Sequence, residues 1–445
     1  MVLTALIDDY LVTYLTNVAD QNINAVGLIL GQSCSGKDYI IHFAKTPPFQ
    51  SEEDKKLGKP VQNMKSLDDM NPNWIADHAK QTTRMLPGGM SVLGVFLVSP
   101  DDLLTPFHSK LKLILQTIHK QLDMNKYLHG NPSSEKLVLH FSSKSRKYFC
   151  KTYDVISHNI QPVEVKSVAK KWNNVECNFG IDKVKFIRTN EADWPLEKHI
   201  KVMLDEIHDN LESSVLFFEG EFKDEDDSLE NVGKKKTRTT RSTKVGHDVT
   251  ESSKPIRVSI LTKCSNMSGS SDSDSVIETS GQLRIVGQVS CKLWLQPKMS
   301  IKEAAKALKQ DIMRSLESRL EMHWDSLTEE ENSEDVNCVH EPPRRVLIRL
   351  PNSNITLSDY LFPGEGAQDA KVSLEELLDI KIKGKLQILD VEGQPDITEY
   401  CKGALESESK EILPKLNSDA NQFMYLGMVA AVIVLIVSLL LHLYT

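Results

Sequence analysis

Apolar residues recur at helical spacing through Leu3, Leu6, Ile7, Leu11, Tyr14, Leu15 and Val18, which predicts one helix over 3–18. The pattern then changes period. Short continuous apolar runs at 25–30 and 39–44 read as buried strands, the second stopped by Pro47-Pro48. A helix over 74–86 is predicted to end at Pro87-Gly88-Gly89, followed by an apolar strand at 91–98 and a helix over 103–122 with the stripe Leu111, Leu113, Ile114, Ile118, Leu122. Strands at 137–141 and 147–153 form a predicted hairpin. Further strands are expected at 175–179 and 184–187, then an amphipathic helix over 196–211 and a strand at 215–219.

The second half is again mixed, with strands predicted at 256–261, 283–289, 293–295, 346–350 and 386–389. Ser300 caps a long helix from 301 to about 324, and Glu303 stands where a capping box needs it; a short helix is expected at 374–378. Between the halves, 221–254 is rich in Ser, Thr and charge and has few apolar residues to offset ordering entropy. These patterns predict an α+β chain with a first domain over 1–220, a disordered linker over 221–254, a second α+β domain over 255–400 and a tether over 401–422.

The end of the chain changes the picture. From Phe423 to Tyr444 there is no Asp, Glu, Lys or Arg, and Phe423, Met428, Val432, Leu435, Leu439 and Leu443 punctuate an aliphatic run. At about 1.5 Å per residue, 423–443 reaches roughly the 30 Å of a bilayer's hydrocarbon core, the length of a single transmembrane helix. Only Tyr444 and Thr445 follow it, an arrangement expected of a tail anchor. Residues 1–18 have neither a basic leader nor a long apolar stretch, so the bulk of the chain is expected in the cytosol, as the lysines at 402, 410 and 415 also suggest. The seven cysteines are scattered and form no C-x-x-C, as expected of reduced thiols.

Charge and motifs narrow the function. A net charge of −9 argues against a nucleic-acid binder, and the basic run Lys234-Lys235-Lys236-Thr237-Arg238 reads as solvated linker. Gly31-Gln32-Ser33-Cys34-Ser35-Gly36-Lys37 fits G-x-x-x-x-G-K, but Asp38 stands where a P-loop needs a hydroxyl for magnesium, and the following residues read as strand. A hairpin turn fits both facts. No G-x-S-x-G is present, and no cysteine sits in a nucleophile signature. His108, His119, His129 and His140 show no paired ligand spacing and read as surface or core.

Val26-Gly27-Leu28-Ile29-Leu30-Gly31 and Leu93-Gly94-Val95-Phe96-Leu97-Val98-Ser99-Pro100, with the element order above, resemble the MPN fold of the JAMM zinc isopeptidases. That family holds zinc with two imidazoles and a carboxylate, leaves one position for water, and uses a Glu as the base. The resemblance places Asn24 at the Glu, Leu97 and Ser99 at the two histidines and Lys110 at the Asp, so it implies a degenerate MPN-like domain with no metal, no cofactor and no catalytic residue.

Arg84-Met85-Leu86-Pro87-Gly88-Gly89 leading into Leu93-Gly94-Val95-Phe96, with Phe149-Cys150-Lys151-Thr152-Tyr153-Asp154, the helix from Asp311-Ile312 to Glu321-Met322, Asp359-Tyr360 and the terminal apolar run, is similar to the odorant-response-abnormal protein four (odr-4) family of animals. The resemblance implies a non-catalytic, single-pass protein of the endoplasmic reticulum membrane linked to folding and trafficking of a subset of G-protein-coupled receptors. Its implied partner is the ubiquitin-fold-modifier-specific cysteine protease, through an MPN-like region. The function expected is that of an adaptor whose residues 1–220 bind the non-catalytic region of this protease; Leu3, Leu6, Ile7, Leu11 and the 111–118 stripe are either apolar surface for that interface or wholly internal. The alternatives are a divergent JAMM-type metalloisopeptidase, an NTPase, or a chaperone that binds receptors directly.

Overall fold

Seven strands close into a barrel: β1 (Leu3–Ile7), β2 (Ala25–Cys34), β3 (Lys37–Lys45), β4 (Ser91–Ser99), β5 (Glu135–Ser142), β6 (Tyr148–Asp154) and β7 (Ile160–Ser167), in the order β1-β3-β2-β4-β5-β6-β7. The computed structural model describes residues 3–21, 24–50, 66, 69–102, 104–105, 107–130, 133–232, 254–262, 278–329, 340–382 and 384–392. Almost every residue of β2 and β4 is buried, which is why both read as unbroken apolar runs rather than alternating ones. On one face Ile29, Phe43, Phe96 and Phe141 pack with Leu11, Leu15 and Val18 of α1 (Asp9–Asp20). The other face lies under α2 (Pro72–Met85) and α3 (Ser109–Asp123), with α4 (Lys126–His129) following.

Two sequence expectations fail here for the same reason. The helix expected over 3–18 is a strand and a helix, because Leu3–Ile7 pairs in parallel with both β3 and β7 and so completes the barrel. A five-residue apolar run fits either period, and only the neighbours decide. The internal reading of the two apolar stripes holds for most of their residues: Ile7, Leu11, Leu111, Ile114, Leu115 and Ile118 are fully buried, Leu3 and Leu6 are half-buried, and Leu113 alone of the α3 stripe is exposed. The hairpin reading of the G-x-x-x-x-G-K run holds. Ser35 and Gly36 both have positive φ and join β2 to β3 in a two-residue turn.

The remaining strands form two further sheets. β8 (Asn173–Arg188), β9 (Val215–Phe218), β10 (Ile256–Leu261) and β11 (Thr279–Leu295) take the order β11-β8-β10-β9. β12 (Arg344–Arg349), β13 (Thr356–Leu361) and β14 (Ile388–Asp390) take the order β13-β12-β14. α5 (Leu196–Glu212), α6 (Ile301–Glu329) and α7 (Ala367–Leu378) complete the elements.

The boundary expected at residue 220 is not a boundary between units. β8 and β9, from before it, pair with β11 and β10, from after it, and the described residues of Met1–Glu334 and Glu341–Gln394 make one compact unit. The first part of the expected linker is also packed: the backbone N–H of Leu229 bonds the Met299 carbonyl, and its side chain is buried. Residues 233–253 lie outside the described residues, as do the tether and anchor residues Phe423, Met428, Val432, Leu435, Leu439 and Leu443. Among the described residues no helix is long and apolar enough to cross a membrane.

α6 joins the layers. The expected capping box starts it, with Glu303 N–H donating to Ser300 Oγ at 3.2 Å and Ser300 N–H to Glu303 Oε2 at 3.0 Å. Ala304, Leu308, Ile312 and Leu316 pack on the four-stranded sheet, while Asp311 and Arg314, on another side, point into a polar seam against the 86–90 segment. The Gly88 backbone touches the helix there. A Cβ on Gly88 would stand 2.0 Å from the Ala307 carbonyl oxygen, so the Pro87-Gly88-Gly89 stop also serves as the seat of α6.

Candidate functional site

Three of the four positions that the zinc-isopeptidase resemblance singles out, Asn24, Leu97 and Ser99, fall around the end of β4. Ala25 of β2 pairs with Val98 of β4, so Asn24 continues β2 toward Ser99. Leu97 is 1% exposed and belongs to the apolar cluster beneath α2 and α3. Ser99 Oγ donates to the Asp101 carbonyl at 3.0 Å and lies 2.9 Å from His140 Nε2. Because the hydroxyl's one proton is used on Asp101, the ring must donate from Nε2, which leaves Nδ1 as a buried atom with no hydrogen-bond partner. That is the reverse of a base holding a nucleophile's proton, and burial lowers the His140 pKa besides. Lys110 is in the first turn of α3, where its N–H donates to His108 Nδ1 at 3.2 Å.

His140 is the residue that sequence spacing missed, since strand β5 alone brings it beside Leu97 and Ser99. Among the described residues no group of three or more His, Cys, Asp or Glu is placed to hold a metal ion. Leu97→His is expected to bury an imidazole beside that of His140, whose Nε2 is already engaged by Ser99, with no carboxylate ligand to complete a set. Elemental analysis of the purified variant should therefore find no zinc, since affinity needs several ligands together; stoichiometric zinc would count against this reading. The described cysteines 34, 150, 177 and 291 are free and buried, and burial pushes the Cys177 thiol up to about 11 and that of Cys150 up to about 12. Neither is poised as a thiolate at neutral pH.

A second feature is a cleft of about 220 Å³ between α2, α6, β13 and α7. Arg84 and Met85 of α2, Met322 of α6 and Asp359 and Tyr360 of β13 line it, so three segments that carry the odr-4 resemblance in the sequence meet at one place. Arg84 donates to Gln81 Oε1 at 2.8 Å and pairs with Glu321 at 2.9 Å. Asp359 accepts the Tyr360 N–H on Oδ1 at 2.9 Å, and a hydrogen bond from the Ser373 side chain also favours its charged form. Burial pushes this carboxyl up to about 6. Nothing in the sequence marked Asp359 as half-buried at a cleft, because the run Thr356–Leu361 alternates poorly and its strand was not expected.

The chain is similar to the protein odr-4 homolog of Homo sapiens, with 30% identity over 411 residues that cover 89% of this chain and 87% of that one. It is also similar to the odorant response abnormal protein 4 of Caenorhabditis elegans, with 21% identity over 375 residues, covering 82% and 74%. Among solved structures, the crystal structure of UfSP from C. elegans matches with a TM-score of 0.44 at 8% identity, covering 87% of this chain and 58% of that one. The family model described as ODR4-like, odorant response abnormal 4-like, matches residues 27–387, and the chain belongs to that family.

Proposed function

We propose that this protein is a non-catalytic adaptor built on an MPN-like barrel. A C-terminal helix over 423–443 holds it in the endoplasmic reticulum membrane with its bulk in the cytosol. There it retains the ubiquitin-fold-modifier-specific cysteine protease and supports folding and trafficking of a subset of G-protein-coupled receptors. The observation that carries the reading is the end of β4, where Leu97 is buried and Ser99 is tied to a backbone carbonyl, at the two positions to which the sequence resemblance assigns the imidazoles of the zinc isopeptidases. A barrel so filled retains a rigid surface for docking. Tethering then acts through effective concentration, since confining a partner near the membrane favours encounters with membrane substrates without any new contact. Family membership and the uncharged run from Phe423 to Tyr444 support the same reading.

Truncation before Asn421 tests it. Each Leu, Ile, Val or Phe near mid-bilayer contributes roughly −0.3 to −0.6 kcal/mol to insertion, so full-length protein is expected to resist carbonate extraction while the truncated form appears in the soluble fraction. A pull-down should recover the protease with both forms, and the protease should leave the membrane when only the truncated form is expressed. A protease that stays on the membrane in those cells, or that neither form captures, rules out the recruitment role.

A further inference from the structure

Cys177 of β8 and Cys291 of β11 stand directly opposite each other in the antiparallel pairing of the two strands. Residues paired in this way project to the same face of a sheet with their Cα atoms about 4.5–5.5 Å apart, inside the roughly 4.4–6.8 Å that a disulfide spans. The face is the inner one. The flanking pairs Val175–Leu293 and Phe179–Val289 belong to the same apolar cluster, and the two cysteines are 4% and 3% exposed. Both thiols are free. The Cys291 thiol donates to the Asp311 carboxylate, while burial, and then the charge of Asp311, raises the Cys177 pKa. Both sulfurs therefore lie near the ion pair that Asp311 makes with Arg345 of β12 through bonds of 2.8 and 2.9 Å. Among the described residues the other two cysteines, Cys34 and Cys150, face Lys37 and Leu139 across their own strand pairs.

We propose that Cys177 and Cys291 form a redox-sensitive pair, which a small disulfide such as oxidised glutathione converts into a cross-strand disulfide that staples β8 to β11. One protein thiolate attacks the oxidised glutathione and displaces a glutathione thiolate; the second attacks the protein sulfur of the mixed disulfide and displaces the other. Two protein S–H bonds are lost and one S–S bond is gained, and the two electrons and two protons leave on two molecules of reduced glutathione. The change turns Cys291 away from Asp311, which keeps the Gly88 amide and Arg345. Burial pushes the Cys177 thiol up to about 11 and that of Cys291 well above its ordinary value, so neither sulfur attacks while the strands are closed, and exchange proceeds when β8 and β11 part. That gate makes the pair answer to sustained oxidation and leaves it a dithiol in a reducing compartment. Register supplies the selectivity. In an unfolded chain loop closure favours cysteines near in sequence, such as Cys264 with Cys291 or Cys150 with Cys177, whereas the folded sheet sets together two that are far apart. The inference is independent of the adaptor role, since it concerns a modification of the sheet and not where the protein resides.

Reduced full-length protein in detergent provides the test, held in mixed reduced and oxidised glutathione in urea below the unfolding transition, where strand opening is faster, and again in urea above it. Acid quenching, alkylation of the free thiols with N-ethylmaleimide and peptide mass spectrometry then identify each bridge. Below the transition the bridge between Cys177 and Cys291 is expected to exceed every other cysteine pair by at least about tenfold, and above it that preference should pass to pairs closer in sequence. The bridged protein, freed of glutathione, should unfold at a higher urea concentration than the dithiol form, and dithiothreitol should abolish the difference. Cys177→Ala is expected to remove this redox dependence; if that variant does not fold, Cys291→Ala asks the same question. A different dominant bridge below the transition, glutathione adducts or free thiols in its place, the same pattern above and below it, a bridged form no more resistant to urea, or a redox-dependent midpoint that survives in the alanine variant would each overturn the proposal.

Discussion

Arg345→Met is expected to cost about 3–5 kcal/mol of folding stability, the usual consequence of leaving one charge of a buried pair without its partner. Arg345 of β12 is 1% exposed and Asp311 of α6 is fully buried, and the two meet through paired bonds of 2.8 and 2.9 Å. The same guanidinium donates to Ser358 of β13 at 2.7 Å and to the Ser290 carbonyl of β11 at 3.2 Å, while Asp311 accepts the Gly88 N–H at 2.7 Å. One ion pair therefore ties the three-stranded sheet, the four-stranded sheet, the long helix and the loop that seats it. Burial opposes both charges, but each outweighs it for the other: Arg345 holds the Asp311 carboxyl below its usual range, and Asp311 raises the guanidinium. Removing the arginine leaves Asp311 with the Gly88 amide and the Cys291 thiol but without the cation paired to it. Arg345→Lys is expected to recover only part of the loss, because an ammonium cannot reproduce the fork. Urea unfolding of the purified protein reads the effect, and a loss for Arg345→Met under about 1 kcal/mol would mean that the pair does not lock the layers.

Acidification is the second large effect expected. His42, His78, His129 and His140 are buried, and burial lowers the pKa of each. His129 is pushed down to about 3, by burial first and then by the nearby Arg314 and Lys80, and neither of its ring nitrogens has a hydrogen-bond partner. A histidine with a depressed native pKa leaves the folded state with fewer bound protons than the unfolded chain. Its stability contribution is therefore full above about pH 6.5 and is lost as the pH falls toward the native value. For His129 alone the loss by pH 4 is about 3 kcal/mol. Asp359 acts in the opposite sense, because burial raises its pKa and protonation relieves the uncompensated charge, so it offsets part of the loss below about pH 6. The melting temperature should fall on going from pH 7 to 4. His129→Leu, which removes the proton acceptor without breaking a side-chain hydrogen bond, should raise it at pH 7 and flatten the fall. An equally steep profile in that variant would assign the acid sensitivity elsewhere.

Elements that depend on local chemistry were legible from residues alone. The turn at Ser35-Gly36, the capping box of α6, the stop after α2 at Pro87-Gly88 and the doubly buried strands β2 and β4 all lie where the sequence pattern predicts them. Each is decided within a few residues, by backbone freedom at glycine, a side chain that reaches its own helix end, or an apolar run too dense for one wet face. The bilayer span expected over 423–443 rests on the same local kind of signal, an uncharged run of sufficient length, and lies outside the described residues.

What depends on distant partners was not legible. Leu3–Ile7 is a strand because β3 and β7 flank it, and β8 and β11 run on as long strands through Gly180 and Gly287 because each pairs with the other. The expected break at residue 220 vanishes for the same reason: strands on either side of it complete one sheet, and the entropy of closing the connection between them rises only slowly with its length. At the end of β4 the sequence named Leu97 and Ser99, but only strand pairing set His140 beside them. The cleft and the Asp311–Arg345 pair draw on residues from four or more elements spread between Gln81 and Leu377, and such charges do not announce their partners in a linear pattern. Sequence periodicity reports which face of an element avoids water, whereas the pairing of buried charges is fixed only when tertiary packing removes the water that would otherwise have solvated them separately.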